Sequence, residues 1–182
     1  MQILEFQPYA EHVRLVWRWW SHIAIERGRP PRRGEVDPAA FLPALHKVWL
    51  VEWLAESDCF RYRLAGEDIN RTHGFSLKGR TLEEVFPGPT RARIDAAWRE
   101  VLGQPAISYQ VGQIYLDGQT TRHGERLVLP LLDDRTKTAG YLLGITSHPK
   151  GLPEEEAVES LSLQPNFNHS FFSLKELLAK KA

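Results

Sequence analysis

The stretch GFSLKGRT, residues 74–81, stands one residue away from the phosphate-binding loop G-x-x-x-x-G-K-[ST], with Arg80 where the lysine belongs. Further on, residues 127–134 read LVLPLLDD, an apolar run ending in acid, the form of the partner motif that holds magnesium. Together they would make a nucleotide site, but the context of both opposes it. A phosphate loop follows a buried parallel strand, whereas the EDINRTH before Gly74 is polar and helical in pattern. Arg80 is longer and planar, so it does not replace a compact lysine charge. Pro130 interrupts the second run, and proline inside sheets belongs at edges or bulges. Asp133 and Asp134 read better as a turn.

Other chemistry is equally thin. The seven histidines are His12, His22, His46, His73, His123, His148 and His169, and no two stand at H-x-x-x-H spacing. His123 and Glu125 could share a strand face, but two ligands make no metal site. His73, at the end of a short helix, could reach a ligand or simply answer the local helix dipole. There is no G-x-S-x-G, and no base can be placed beside Ser76. Cys59, in DCFRYR, reads as a small strand residue. These observations predict a chain without catalytic or metal-binding residues.

The segment Arg27-Gly28-Arg29-Pro30, with Arg32 and Arg33 close by, has the form used to insert arginines into an A·T minor groove. Glu26 and Glu35 flank it, so nucleic-acid binding is an alternative reading and a solvated connector the simpler one.

The chain has 182 residues, with Lys+Arg and Asp+Glu both 23, so there is no global pull toward nucleic acid or acidic lipid. A single cysteine rules out an internal disulfide, as suits a reducing compartment. The first residues lack the basic start and apolar core of a signal peptide. No apolar run approaches the ~18 residues of a membrane span. A cytoplasmic protein with no membrane association is the expectation.

Periodicity supplies the elements. Over residues 9–27, Val13, Val16, Trp17, Trp20 and Ile23 follow helical spacing, and Leu15 and Trp19 widen the stripe. So broad a face calls for two covering surfaces, its own domain and a partner chain, which makes these residues with Trp19 the candidate interface of a homodimer. Asp37-Pro38 opens a short helix. Residues 47–54 and 59–65 alternate as a hairpin, the second strand at or near a sheet edge. Residues 67–73 form a short helix stopped by Gly74, after which Phe75 is expected to drop into the core. Thr81 and Glu84 make a capping box. A longer helix covers 90–103. Strands follow at 106–116, 124–132 and 139–147, with turns at Asp117-Gly118 and residues 133–135. Residues 149–164 read as an acidic linker, and a capping box at Ser173 opens a short C-terminal helix. The order predicts an α+β domain with an antiparallel meander.

The residues G-F-S…G-R-T…F-P, with FRYRLAGEDIN and PALHKVWLVE before them, resemble the signature of PAS domains, in particular a bacterial subfamily found mostly as stand-alone proteins. The resemblance covers about residues 32–148, between an N-terminal helix and connector (1–31) and a linker with a short helix (149–182). It implies a five-stranded antiparallel sheet of order 2-1-5-4-3 with helices on one face. It also implies a sensory or regulatory module acting through a small ligand or a protein partner. The implied pocket would be lined by Tyr62, Leu64, Ile69, His73, Phe75, Ile94, Trp98 and Leu129. The connector between Ser76 and Gly79 is about a helical turn shorter than the common pattern, which implies a shallow pocket. Haem-binding members use a histidine on the long helix, and residues 90–103 contain none. Flavin photosensors use a cysteine in an N-C-R-F-like helix motif, which Cys59 does not match. The identity of the cofactor or ligand is left open, with an enzyme in the same pocket as a further alternative.

Overall fold

A computed structural model describes residues 6–86, 88–103, 106–115, 121–148 and 167–173. Helix α1 (Glu11–Arg27) is followed by a 3-10 segment (Pro38–Lys47) capped by Asp37, whose carboxylate accepts from Ala39 N. Strands β1 (Val48–Leu54) and β2 (Cys59–Ala65) form a hairpin. Three helices come next: α2 (Glu67–His73), α3 (Leu82–Val85) and α4 (Pro89–Gly103). The meander β3 (Ala106–Tyr115), β4 (Thr121–Leu132), β5 (Ala139–Ser147) leads to β6 (Phe167–Ser173).

All neighbours pair antiparallel in the order β2-β1-β5-β4-β3-β6. The expected 2-1-5-4-3 sheet is therefore present and gains a sixth strand. The segment 149–182, read as linker and helix, contributes that strand. FNHSFFS has neither a clean two-residue nor a helical period. Its conformation comes from the open edge of β3, whose backbone groups it pairs. The helix expected from Ser173 and the Asp117-Gly118 turn lie outside the described residues.

The sheet separates two cores. On one face α1 and the 3-10 segment pack over Val48, Leu50, Leu127, Leu129, Leu131, Leu143 and Ile145. On the other, α3 and α4 pack over Trp49, Val51, Phe60, Tyr62, Val128 and Leu142. Successive residues of β1, β4 and β5 alternate between these cores, as a pleated strand requires.

Much of the broad face of α1 is covered by this chain itself. Val13, Val16, Trp17 and Trp20 are buried in the core, and the Trp20 indole donates to Pro130 O at 2.9 Å. Trp19 meets Phe41 of the 3-10 segment edge-on at 5.4 Å, and Ile23 is half-buried. Most of the stripe expected to serve a partner chain is thus covered within the chain, while Trp19 and Ile23 stay partly exposed.

GFSLKGRT is an edge cover. Gly74 ends α2 in the left-handed region (φ 75°). Phe75 is exposed, against expectation, and stacks beneath the Arg80 guanidinium at 4.9 Å, while Leu77 takes the buried place. Gly79 N donates to Tyr62 O and Tyr62 N to Arg80 O, both at 2.8 Å, so these residues satisfy part of the free edge of β2. Thr81 and Glu84 form the expected capping box.

Gly144 lies under the Trp49 indole, and a Cβ there would overlap the ring. Gly144→Ala should destabilise the chain by about 1–3 kcal/mol, read as a lower urea midpoint with unchanged slope. An unshifted midpoint would mean that the indole has room to move.

Candidate functional site

Between α2 and the α4-side face of the sheet lies a cavity of about 260 Å³. Its floor is aromatic. Trp98 of α4 lies 5.1 Å from Trp49 and 6.0 Å from Tyr62, centroid to centroid, and Phe86 closes one side. Trp49 can lie flat only because Gly144 has no side chain. The Thr146 hydroxyl accepts from Trp49 Nε1 at 3.2 Å and from Arg126 Nε at 3.1 Å, so one oxygen fixes both an indole and a guanidinium.

The wall is α2, with Asp68, Ile69, Arg71, Thr72 and His73 turned toward the cavity. Glu67 and Asp68 in its first turn and Arg71 and His73 in its last match the helix dipole. The rim carries Lys47, Arg122 and His148. Asp68 accepts from Lys47 Nζ at 2.9 Å and from Arg71 at 3.2 Å, and His46 lies 3.6 Å away. The Lys47 ammonium, above all, holds the Asp68 carboxyl below the usual carboxylate range. Among the described lining residues, Lys47, Arg71, Arg122 and Arg126 thus face one carboxylate.

Burial sets the other charges. It pulls the Arg126 guanidinium down to about 10, with Tyr62 opposing weakly, and pushes the Tyr62 phenol up. Burial also lowers His148, helped by Arg122, Arg126 and Lys47 and opposed by a bond to His123 O. At 3.0 Å from that carbonyl, Nδ1 of His148 is the donor. Gly124 makes this contact possible, because a Cβ there would meet the imidazole and Ser147 O.

Of the residues expected to line a pocket, Tyr62, Ile69, His73 and Trp98 come together around the cavity. The other four do not line it. Ile94 is buried in the core beneath α4, and Phe75 is on the surface. Leu129 faces α1, because β4 sends its odd positions to that core. Leu64 pairs with Leu50 across a register shift that leaves Arg63 as the extra residue. That bulge puts Leu64 opposite an α1-facing residue, at the exposed edge. The polar lining from Lys47, Arg122, Arg126, Thr146 and His148 was missed. One signal was available: Arg122 and Arg126 share strand parity with the buried Val128, an odd place for two arginines.

On the opposite face, the adjacent Glu125 is fully buried. It accepts from Tyr9 N at 2.7 Å, Ala10 N at 2.8 Å and the Tyr109 hydroxyl at 2.6 Å. Ala10 holds the N-cap position of α1 and has no side chain to cap it, so Glu125 caps the helix from the sheet.

The Arg27–Pro30 connector is bound to its own chain. Arg29 makes two bonds to Glu35 at 2.8 and 2.9 Å, which hold the Glu35 carboxyl down to about 2, and Arg27 lies 3.6 Å from the same carboxylate. Pro31 O accepts from Leu132 N at 2.9 Å, which straps the connector to the end of β4. Among the described residues no helix is long and apolar enough to cross a membrane, and no three His, Cys, Asp or Glu side chains gather to hold a metal ion.

A pH dependence follows. His12 is lowered by burial and then by His46 and Lys47, and His148 is lowered as above. Both stay neutral in the folded chain at a pH where the unfolded chain takes up protons at about 6.5. Their contribution to stability is full above that value and falls with pH below it. Urea midpoints should be flat from about pH 8 to 7 and decline below about 6.5, less steeply in His148→Gln. A midpoint constant down to about pH 5 would contradict the burial of both imidazoles.

No curated protein matches the chain. A family model described as PAS domain matches residues 10–147, taking in α1 as well as the sheet and its helices. With that match over most of its length and the 2-1-5-4-3 sheet beneath it, the chain belongs to the PAS domain family, whose members are sensory and regulatory modules.

Proposed function

We propose that the chain senses a small ligand in the cavity between α2 and the sheet and reports its presence through the first turn of α1. The observation that carries this reading is the pair Glu125–Arg126. Neighbours on β4, they project to opposite faces, Arg126 into the cavity and Glu125 onto the backbone of Tyr9 and Ala10. A ligand that pulls on Arg126 moves the strand that caps α1. A second contact runs in parallel: His12 of α1 meets His46 edge-on at 5.2 Å, beside the rim residue Lys47.

Magnitudes limit the response. Burying Trp17 and Trp20 contributes roughly 1.5–3 kcal/mol each or more, so a small ligand does not detach the helix. The entry to its first turn is tied by Glu125 at Tyr9 and Ala10, through bonds of about 1.5–3 kcal/mol each, which lies within the reach of a differential binding energy. Loosening or tightening of that turn, read by a protein partner, is the output.

The test is hydrogen exchange on the whole chain. Glu125→Gln should raise exchange of the first-turn amides of α1 about tenfold or more and leave the β1 and β5 amides little changed. The same amides should respond when the cavity is filled by Thr72→Trp on α2. Unchanged exchange in both variants would remove the link between cavity and helix.

A further inference from the structure

We propose that the ligand of this cavity is a small, flat organic anion, with a carboxylate or phosphate group at the cationic rim and an unsaturated ring on the aromatic floor. The proposal rests on the cavity being the ligand site and names the chemistry that site selects.

Charge gives the first argument. The cations at the mouth come from the end of the 3-10 segment, α2 and β4, and Asp68, the carboxylate among them, already accepts from Lys47 and Arg71. Arg71 also reaches Glu67 at 2.6 Å, so the positive charge in excess of these pairs lies on β4, and it favours an anion over a neutral or cationic ligand. Geometry gives the second. Nε of Arg126 is anchored on Thr146 Oγ1, which fixes the guanidinium plane at the edge of the floor. A planar fork held in place suits the two oxygens of a carboxylate or phosphate. The same Thr146 oxygen anchors Trp49, so the anion-binding end and the ring-stacking surface are held in one frame. Aromatic faces favour a flat partner in offset or edge contact. Size gives the third. A cavity of about 260 Å³ holds one ring with a short arm and lies below the range of sites for drug-sized ligands.

The experiment is calorimetric titration of the full chain at physiological salt with benzoate, phenyl phosphate, benzamide and cyclohexanecarboxylate. Benzoate or phenyl phosphate should bind at least about tenfold more tightly than neutral benzamide, and benzoate more tightly than the non-planar carboxylate. Arg126→Gln should erase the preference for benzoate over benzamide. Arg122→Gln, at an exposed rim residue, should reduce it and keeps the test open if the Arg126 variant does not fold. Benzamide binding as tightly as benzoate, with Thr72→Trp blocking both, would overturn the anion class and leave the sensing reading standing. Anions that bind Thr72→Trp undiminished would remove the cavity as the site, and the proposal with it. Failure of all four compounds to bind at millimolar concentration would also overturn the proposal.

Discussion

A carboxylate shut away from water is costly unless every oxygen is answered, and Glu125 is wholly buried. Two backbone N–H groups and a phenol answer it. The arrangement exists because α1 begins at an alanine, which leaves the helix without a cap of its own. The sheet lends the missing acceptor, and the N-terminal end of the helix dipole favours its negative charge. Once the first turn is fixed, Phe6 is carried into an aromatic cluster, 4.9 Å from Trp17, 4.6 Å from Tyr109 and 5.7 Å from Phe172. Phe172 belongs to β6. One buried charge therefore ties together the helix, the meander and the added edge strand.

Because a strand alternates, committing Glu125 to α1 commits Arg126 to the other face. There the guanidinium would be an isolated charge against an apolar core if β4 and β5 did not supply polar neighbours. Thr146 supplies one, accepting from Arg126 Nε at 3.1 Å. Two glycines make the arrangement possible: Gly144 admits the Trp49 indole and Gly124 admits His148. The cavity's lining thus depends on two positions without side chains, where Trp49 and His148 lie instead, and on a buried guanidinium at a third.

Elements with a strong local signal were legible in the sequence. The alternation of Phe60 and Tyr62, the stripe of α4, the Thr81–Glu84 box and the stop at Gly74 all read correctly, because local geometry dictates them. What escaped depends on distant pairing. The bulge at Arg63 reverses Leu64, and nothing within residues 59–65 announces it. Strand β6 exists through the edge of β3, more than fifty residues earlier in the chain. The cavity's polar lining comes from strand ends and helix turns scattered from Lys47 to His148, and no short spacing joins them. Four of the eight expected lining residues do line the cavity, because Tyr62, Ile69, His73 and Trp98 follow from the periods of β2, α2 and α4.

The boundaries of the cavity are unequal in strength. The floor is buried sheet and α4, but α2 has no buried residue. It is held by polar clamps. Asn70 donates to Ala65 O at 3.1 Å and accepts from Leu77 N at 3.0 Å, and Asp68 reaches Lys47. Partly exposed pairs of this kind contribute about 0–1 kcal/mol each, far less than the aromatic floor. The short connector after Gly74 limits how far α2 can swing, since Gly79 is already bonded to β2. If the cavity is the sensing site proposed above, a ligand entering the mouth would meet one wall that yields within a short tether and one that does not. The force would then fall on the clamps around Asp68 and Lys47 and on Arg126, the residues that lead, through His46 and Glu125, to the first turn of α1.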